Sequence, residues 1–220
     1  MSIQRNRAGI TLATLIRWSG AAAILSGILF IVIQLIHPAD ILSSVTTDRW
    51  AIVHYVSIAM CLLGMLGMTG IYARQVIEAG WLGLIGYLMF NLFYALTMAF
   101  QFAEALISPL LLAEAPKFVE SLLGLPSGAG GEMDLGALAT VYTLVGGFYL
   151  IGGLLFGIAA FRAGILPRWA AGLFAIGGIA GALAAALLPH PIDRIAAVPM
   201  GVSLAWLGYA LLSERSGQSE

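Results

Sequence analysis

The segment WLGLIGYLMFNLFYALTMAFQFA, residues 81–103, carries no charged side chain. A helix needs about 20 mainly apolar residues to cross a bilayer, so this segment is long enough to span one. Similar uncharged stretches occupy 18–39, 50–73, 135–161, 169–192 and 195–213. They are continuously apolar and lack the alternation of barrel strands, which favours helices. The sequence predicts an all-α polytopic membrane bundle of six transmembrane helices.

The overall composition indicates the same class of protein. The chain has 220 residues, of which 60% are hydrophobic and 10% charged, and its mean hydropathy is +0.97. A soluble domain has roughly 45–50% apolar and about 25% charged residues. The few, scattered basic residues argue against nucleic-acid binding. The single cysteine, Cys61, excludes an intrachain disulfide or a dithiol redox pair.

We interpret residues 1–220 as one integral membrane domain built from three helical hairpins. The first apolar run is too long for a signal-peptide core and lacks a small-residue cleavage site, so we expect it to be retained. The longest outer loop, 114–134, contains KFVESLLGL, whose apolar residues recur at helical spacing. This loop is either a tether or a lid over an outward cavity. The predicted spans are approximately 18–37, 50–73, 80–104, 135–161, 169–189 and 195–213.

The basic residues predict the orientation. With six spans, seven arginines fall on one side and only Arg49, Lys117 and Arg194 on the other. The side rich in arginine and lysine is cytoplasmic, which places both termini inside and the protein in the inner (cytoplasmic) membrane of the cell. Tryptophans begin the first, third and fifth spans at that same boundary, as interfacial anchors do. The seven arginines are Arg5, Arg7, Arg17, Arg74, Arg162, Arg168 and Arg215.

The third span has a polar face that lipid would disfavour. Its polar residues recur at steps of three and four, so they share one side of the helix. Polar groups in a span point into the bundle or toward water, so we expect an outward-opening polar cavity, and the alternative is interhelical hydrogen bonding. The polar residues of this face are Tyr87, Asn91, Tyr94, Thr97, Gln101, Glu104 and Ser108. The predicted ligand- or proton-binding residues are Glu104, Gln101, Asn91, Tyr94, His37, His54 and Gln34.

A His-Pro-x-Asp motif occurs twice, in LIHPAD (35–40) and LPHPID (188–193). Proline disfavours helix in the preceding residue, so each histidine should end its span. The aspartate could fix the imidazole tautomer, as carboxylates do beside ligating or catalytic histidines. His37, His190, Asp40 and Asp193 are therefore candidates for a divalent metal site, and the two histidines for axial ligands of a b-type haem. The alternative is that each motif simply ends a helix in the headgroup region.

The chain resembles small six-span bacterial integral membrane proteins to which no activity is assigned. The resemblance lies in RW at 17–18 and 168–169, each leading to an HPxD motif, and in LGYAL at 207–211. It implies a multi-pass membrane fold, and no residue role follows from it.

These features favour a protein that binds or translocates a small or lipid-like molecule through the polar cavity, with proton coupling as an option. The alternatives are a haem- or metal-binding redox protein, an intramembrane enzyme using Glu104 on a lipid or isoprenoid, and an accessory subunit. No GxSxG motif occurs, so the sequence gives no support for a serine hydrolase. Whether the protein is an enzyme of another kind stays open. The expected partners are the bilayer and the ligand, and a second copy or a partner subunit is compatible with this interpretation.

Overall fold

The computed structural model describes residues 11–128, 130–189 and 192–214, and within these ranges the chain is helical, without strands. Short 3-10 segments lie at Leu42–Ser44 and Ile192–Ala196, and a π-turn lies at Ala103–Ile107. The helices are α1 (Leu12–Ile36), α2 (Asp48–Arg74), α3 (Val76–Phe102), α4 (Ser108–Leu111), α5 (Pro116–Leu123), α6 (Ala137–Ala163), α7 (Arg168–Leu187) and α8 (Ala197–Ser213).

Several helices have the length and composition of membrane spans, which confirms the coarse prediction. In the described residues, five segments qualify, namely α1, α2, α3 with its continuation to Leu111, α6, and Ile192–Ser213. The run predicted at 169–189 forms α7, whose apolar part, Arg168–Ala184, is shorter than the other spans. The protein is thus an all-helical bundle with the character of a multi-pass membrane protein.

The six long helices form a closed ring. Each packs against its neighbours in the order α1, α2, α3, α6, α7, α8, and α8 returns to α1. Small residues bring α1 and α8 close together, because a Cβ on Gly27 would lie 2.4 Å from the carbonyl oxygen of Gly201. Aromatic side chains fill the middle of the ring, where Phe90 contacts Phe93, Tyr149 and Phe174.

Two local features shape the ends of α3. Gly80 has φ +54°, a left-handed conformation that favours glycine, and it separates a first turn from the straight helix that starts at Trp81. At the other end the π-turn Ala103–Ile107 interrupts the α-helix. The predicted span of 80–104 therefore lies between a glycine kink and a π-turn.

The loop 114–134 contains a docked helix. α5 buries Val119, Leu122 and Leu123, and this apolar side packs over Val45 and Trp50 near the start of α2. The hydroxyl of Ser121 accepts a hydrogen bond of 3.0 Å from the backbone N–H of Met133, which ties the later part of the loop to α5. The apolar residues at helical spacing in this loop thus form a helix, and it covers one end of the bundle.

Candidate functional site

Glu104 lies in the π-turn that ends α3. The N–H of Ser108 bonds the carbonyl of Ala103, five residues back, so the turn is one residue wider than an α-helical turn. The carbonyl of Glu104 accepts a 2.9 Å hydrogen bond from the indole Nε1–H of Trp50 on α2. A π-turn thus places Glu104 against α2, and Trp50 satisfies the backbone oxygen that the wider turn exposes.

His54 faces the Glu104 carboxyl one turn deeper on α2. The ring is fully buried, and its Nδ1 lies 2.7 Å from the carbonyl oxygen of Trp50. A carbonyl can only accept, so Nδ1 carries the proton and Nε2 points at Glu104 Oε2, 3.1 Å away. The amide of Gln101 donates to the same Oε2 at 3.1 Å. A carboxylate oxygen and a bare imidazole nitrogen repel at this distance, whereas a proton on either atom makes the contact attractive.

The Nε2 atom of His54 is also a buried polar atom with no aligned hydrogen bond. Its contact with Glu104 meets the distance of an ion pair but not the geometry of a hydrogen bond. The hydroxyl of Thr97, one turn below Gln101, is likewise buried without a partner. Buried polar groups are normally hydrogen-bonded, and exceptions cluster at functional sites.

His37 ends α1 beside this pair. Its ring centroid lies 5.2 Å from that of His54 and 6.0 Å from that of Trp50. Nδ1 lies 2.8 Å from the carbonyl of Pro38 and 3.7 Å from Asp40 Oδ1, so the backbone, more than the aspartate, fixes the tautomer. Burial and the nearby Arg194 guanidinium lower the pKa of His37 from 6.5 to about 4. His37 is therefore neutral at pH 7.

The two HPxD segments meet through a cross-pair. Arg194 Nη2 lies 2.6 Å from Asp40 Oδ2, and both side chains are mostly buried, with 15% and 12% exposed. The basic residue that follows the second motif thus binds the aspartate of the first. His190 and Pro191 lie outside the described residues, so the metal and haem predictions that use His190 stay predictions. Asp193 lies within the described residues, and it lines a cavity beside Glu104.

A polar cavity of about 390 Å³ opens beside Glu104. Polar side chains from distant parts of the chain line it together with aromatic rings. Its polar lining is Gln34, His37, Asp40, Ser57, Thr97, Gln101, Glu104, Tyr142, Asp193 and Arg194. Its apolar lining includes Phe30, Ile33, Met60, Phe93 and Pro126.

A second space, the lateral groove, continues from the polar cavity along α6. It measures about 470 Å³ and shares Phe30, Gln34, Phe93, Tyr142, Asp193 and Arg194 with the cavity. Gly146 is exposed and borders open space, because a Cβ there would meet nothing within 4 Å. The groove is mainly apolar. A third space, the vestibule, measures about 750 Å³ and lies between the His37–Ser43 segment and the α5 loop.

The structure brings some of the predicted site residues together and separates others. The polar cavity is lined by Glu104, Gln101, His37 and Gln34. His54 contacts Glu104 but does not line the cavity itself. Asn91 instead donates to the carbonyl of Tyr87 in its own helix. Tyr94 is fully buried against Gly64 and is not among the lining residues.

Sequence reasoning did not single out Trp50 and Arg194 as site residues. Trp50 is four residues before His54, which places both on one helix face and could have indicated a shared role. Arg194 directly follows the second HPxD motif. A basic residue beside a motif that contains a carboxylate is a reasonable ion-pair candidate, but its partner could not be chosen from the sequence.

A metal site built from three protein ligands is not found among residues 11–128, 130–189 and 192–214. Searches with this chain against known protein families, curated proteins and solved structures find no match.

Proposed function

We propose that this protein binds a small amphiphilic, lipid-like molecule from the outer leaflet of the membrane. The observation that carries the proposal is the continuity of two unlike spaces. The polar cavity at Glu104 and the mainly apolar lateral groove share six lining residues, Phe30, Gln34, Phe93, Tyr142, Asp193 and Arg194. A ligand with a polar end and an apolar body fits such a pair of spaces, since ligand sites are mostly apolar with a few placed polar groups.

The arrangement of the lateral groove supports entry from the lipid. Thr143, Gly146 and Ala182 border the groove, and all three are exposed on helices α6 and α7. Residues exposed at this depth would face acyl chains once the bundle is in a bilayer. An amphiphile could then enter sideways, with its polar end moving toward Glu104.

We further propose that the protein lies in the inner membrane of the cell. It would cross that membrane six times, with both termini in the cytoplasm. The ion pair between Arg74 at the end of α2 and Glu214 just after α8, 2.6 Å, supports placing these two helix ends on one side. Trp18, Trp81 and Trp169 are 71%, 79% and 76% exposed, as suits anchors at an interface. α7 would cross as a short span.

A ligand-binding measurement on purified protein tests this function. The probe is N-phenyl-1-naphthylamine, a neutral apolar fluorophore with one polar N–H, added to protein in nanodiscs and to empty nanodiscs. We expect saturable binding above the lipid background. Gly146→Phe should reduce it, because the new ring fills the groove.

Leu144→Phe is the matched control for that variant. Leu144 is 48% exposed on the same helix and does not line the groove, so the same ring placed there should leave binding unchanged. Binding that is absent, or that survives Gly146→Phe at full affinity, contradicts the proposed function.

A further inference from the structure

We infer that the ligand of the polar cavity is a hydrophobic monocation, held against Glu104 in exchange for the proton that Glu104 shares with His54. This inference rests on the proposed function, because it names the chemical class of the amphiphile. Three features of the cavity lead to it: its charge, its aromatic walls, and the buried Glu104–His54 pair.

The formal charge of the described cavity lining is negative. Three carboxylates line it, those of Asp40, Glu104 and Asp193, against one guanidinium, that of Arg194. The guanidinium is already within 2.6 Å of Asp40, and His37 is neutral at pH 7. A cation that displaces the shared proton meets the Glu104 carboxylate at low dielectric, whereas an anion at Glu104 meets no opposite charge from the neutral pair.

The walls of the cavity suit a cation with apolar substituents. Phe30, Phe93 and Tyr142 line both the cavity and the lateral groove, and Tyr149 stacks on Phe30 with centroids 6.3 Å apart. Ring faces attract ammonium and similar cations, most strongly where water is excluded. Aromatic walls and a buried carboxylate together form the recognition elements for a quaternary or protonated amine.

The Glu104–His54 pair gives the binding its electroneutrality. With one shared proton, the pair is either carboxylate and imidazolium or carboxylic acid and imidazole, and its net charge is zero in both forms. A cation that enters while this proton leaves through the vestibule keeps the total charge of the site unchanged. The exchange therefore avoids burying an unpaired charge, which would carry a large cost in desolvation free energy. One proton is released for each cation bound, and no bond other than N–H or O–H changes.

The other groups around Glu104 set the limits of this exchange. Each element packed around Glu104 contributes at least one side chain, and most of these side chains are either paired or uncharged at pH 7. From α2 comes His54, from α3 Thr97 and Gln101, from the end of α1 His37 and Asp40, from α6 Tyr142, and from the 3-10 segment Asp193 and Arg194. Of these, His54 is the group in direct contact with the carboxyl and able to share its proton.

Three probes of matched shape but different charge test the inference. Tetraphenylphosphonium is the cation, tetraphenylborate the anion, and triphenylphosphine oxide the neutral compound. Each is measured separately by equilibrium dialysis on protein in nanodiscs of zwitterionic lipid, at several pH values from 6 to 8.5. We expect the cation to bind at least tenfold more tightly than the other two at pH 8. Its affinity should rise with pH, by up to tenfold per unit for one proton released.

Variants separate the role of Glu104 from general effects. Glu104→Gln should lower tetraphenylphosphonium affinity at least tenfold and remove its pH dependence. Glu114→Gln is the control, since Glu114 is exposed and lines none of the three spaces, and it should change neither. Should Glu104→Gln fail to fold, Tyr142→Leu is the second variant, and it should weaken the cation several-fold without weakening the neutral probe.

The outcomes distinguish this inference from the function on which it rests. If tetraphenylborate or triphenylphosphine oxide binds as tightly as the cation, and Gly146→Phe removes that binding, the amphiphile site stands and the cation assignment is wrong. A cation affinity that does not change with pH overturns the proton exchange. If none of the three probes binds, the inference fails, and the proposed function fails with it only if N-phenyl-1-naphthylamine also does not bind.

Discussion

The indole of Trp50 donates its Nε1–H to the backbone carbonyl of Glu104, 54 residues later, at 2.9 Å. This bond joins α2 to the π-turn and fixes the backbone from which the Glu104 side chain projects. The same tryptophan accepts through its own carbonyl from His54. One residue therefore orients both members of the buried pair.

Trp50→Phe should destabilise the protein by about 1–3 kcal/mol, because it leaves a buried carbonyl without its donor. Trp50 is fully buried, so water does not replace the lost bond. The measurement is the unfolding free energy in mild detergent. Trp169→Phe is the control, since Trp169 is 76% exposed, and it should cost much less. Equal costs for the two variants would contradict the role of the indole.

The Asp40–Arg194 pair should show measurable coupling in a double-mutant cycle with Asp40→Asn and Arg194→Gln. We expect about 0.5–3 kcal/mol, because both side chains are mostly buried and 2.6 Å apart. The Lys117–Glu132 pair is the matched control. Its N–O distance is 2.7 Å, but its side chains are 71% and 70% exposed, so water screens it. The structure is contradicted if the exposed pair couples more strongly.

His37 should make the stability depend on acidity. Its pKa is lowered from 6.5 to about 4 by burial and by Arg194, so the unfolded chain binds the proton more tightly. Stability is then complete above pH 6.5 and falls as the pH drops toward 4. Thermal unfolding of the native protein and His37→Gln, compared at pH 7.5 and 5, measures this contribution. The variant should lose less stability on acidification, and an identical loss would refute the assignment.

Gly27 and Gly146, which both lie inside long helices, should differ in their tolerance to alanine. At Gly27 a Cβ would lie 2.4 Å from the carbonyl oxygen of Gly201, so α1 and α8 must separate. We expect Gly27→Ala to cost about 1–3 kcal/mol through overpacking. At Gly146 nothing lies within 4 Å, and alanine should be tolerated or slightly stabilising. Unfolding midpoints of both variants test this, and a reversed order would contradict the α1–α8 contact.

The polar face of the third span shows how far the sequence reaches into the site. The three- and four-residue spacing correctly indicated that Thr97, Gln101 and Glu104 turn inward together, because helical periodicity is a local property. The same rule grouped Asn91 and Tyr94 with them. Their separation from the cavity depends on depth and on neighbours, such as the carbonyl of Tyr87 that Asn91 binds.

The sequence by itself determined the class of fold. Long uncharged runs must satisfy their backbone groups internally, so they become helices, and their bounds follow the charges and prolines that flank them. The tertiary structure decided which of these helices meet. The closed ring places α8 beside α1, pairs Asp40 with Arg194 over 154 residues, and sets His54 against Glu104. Such contacts depend on packing of whole helices, and no local pattern of residues encodes them.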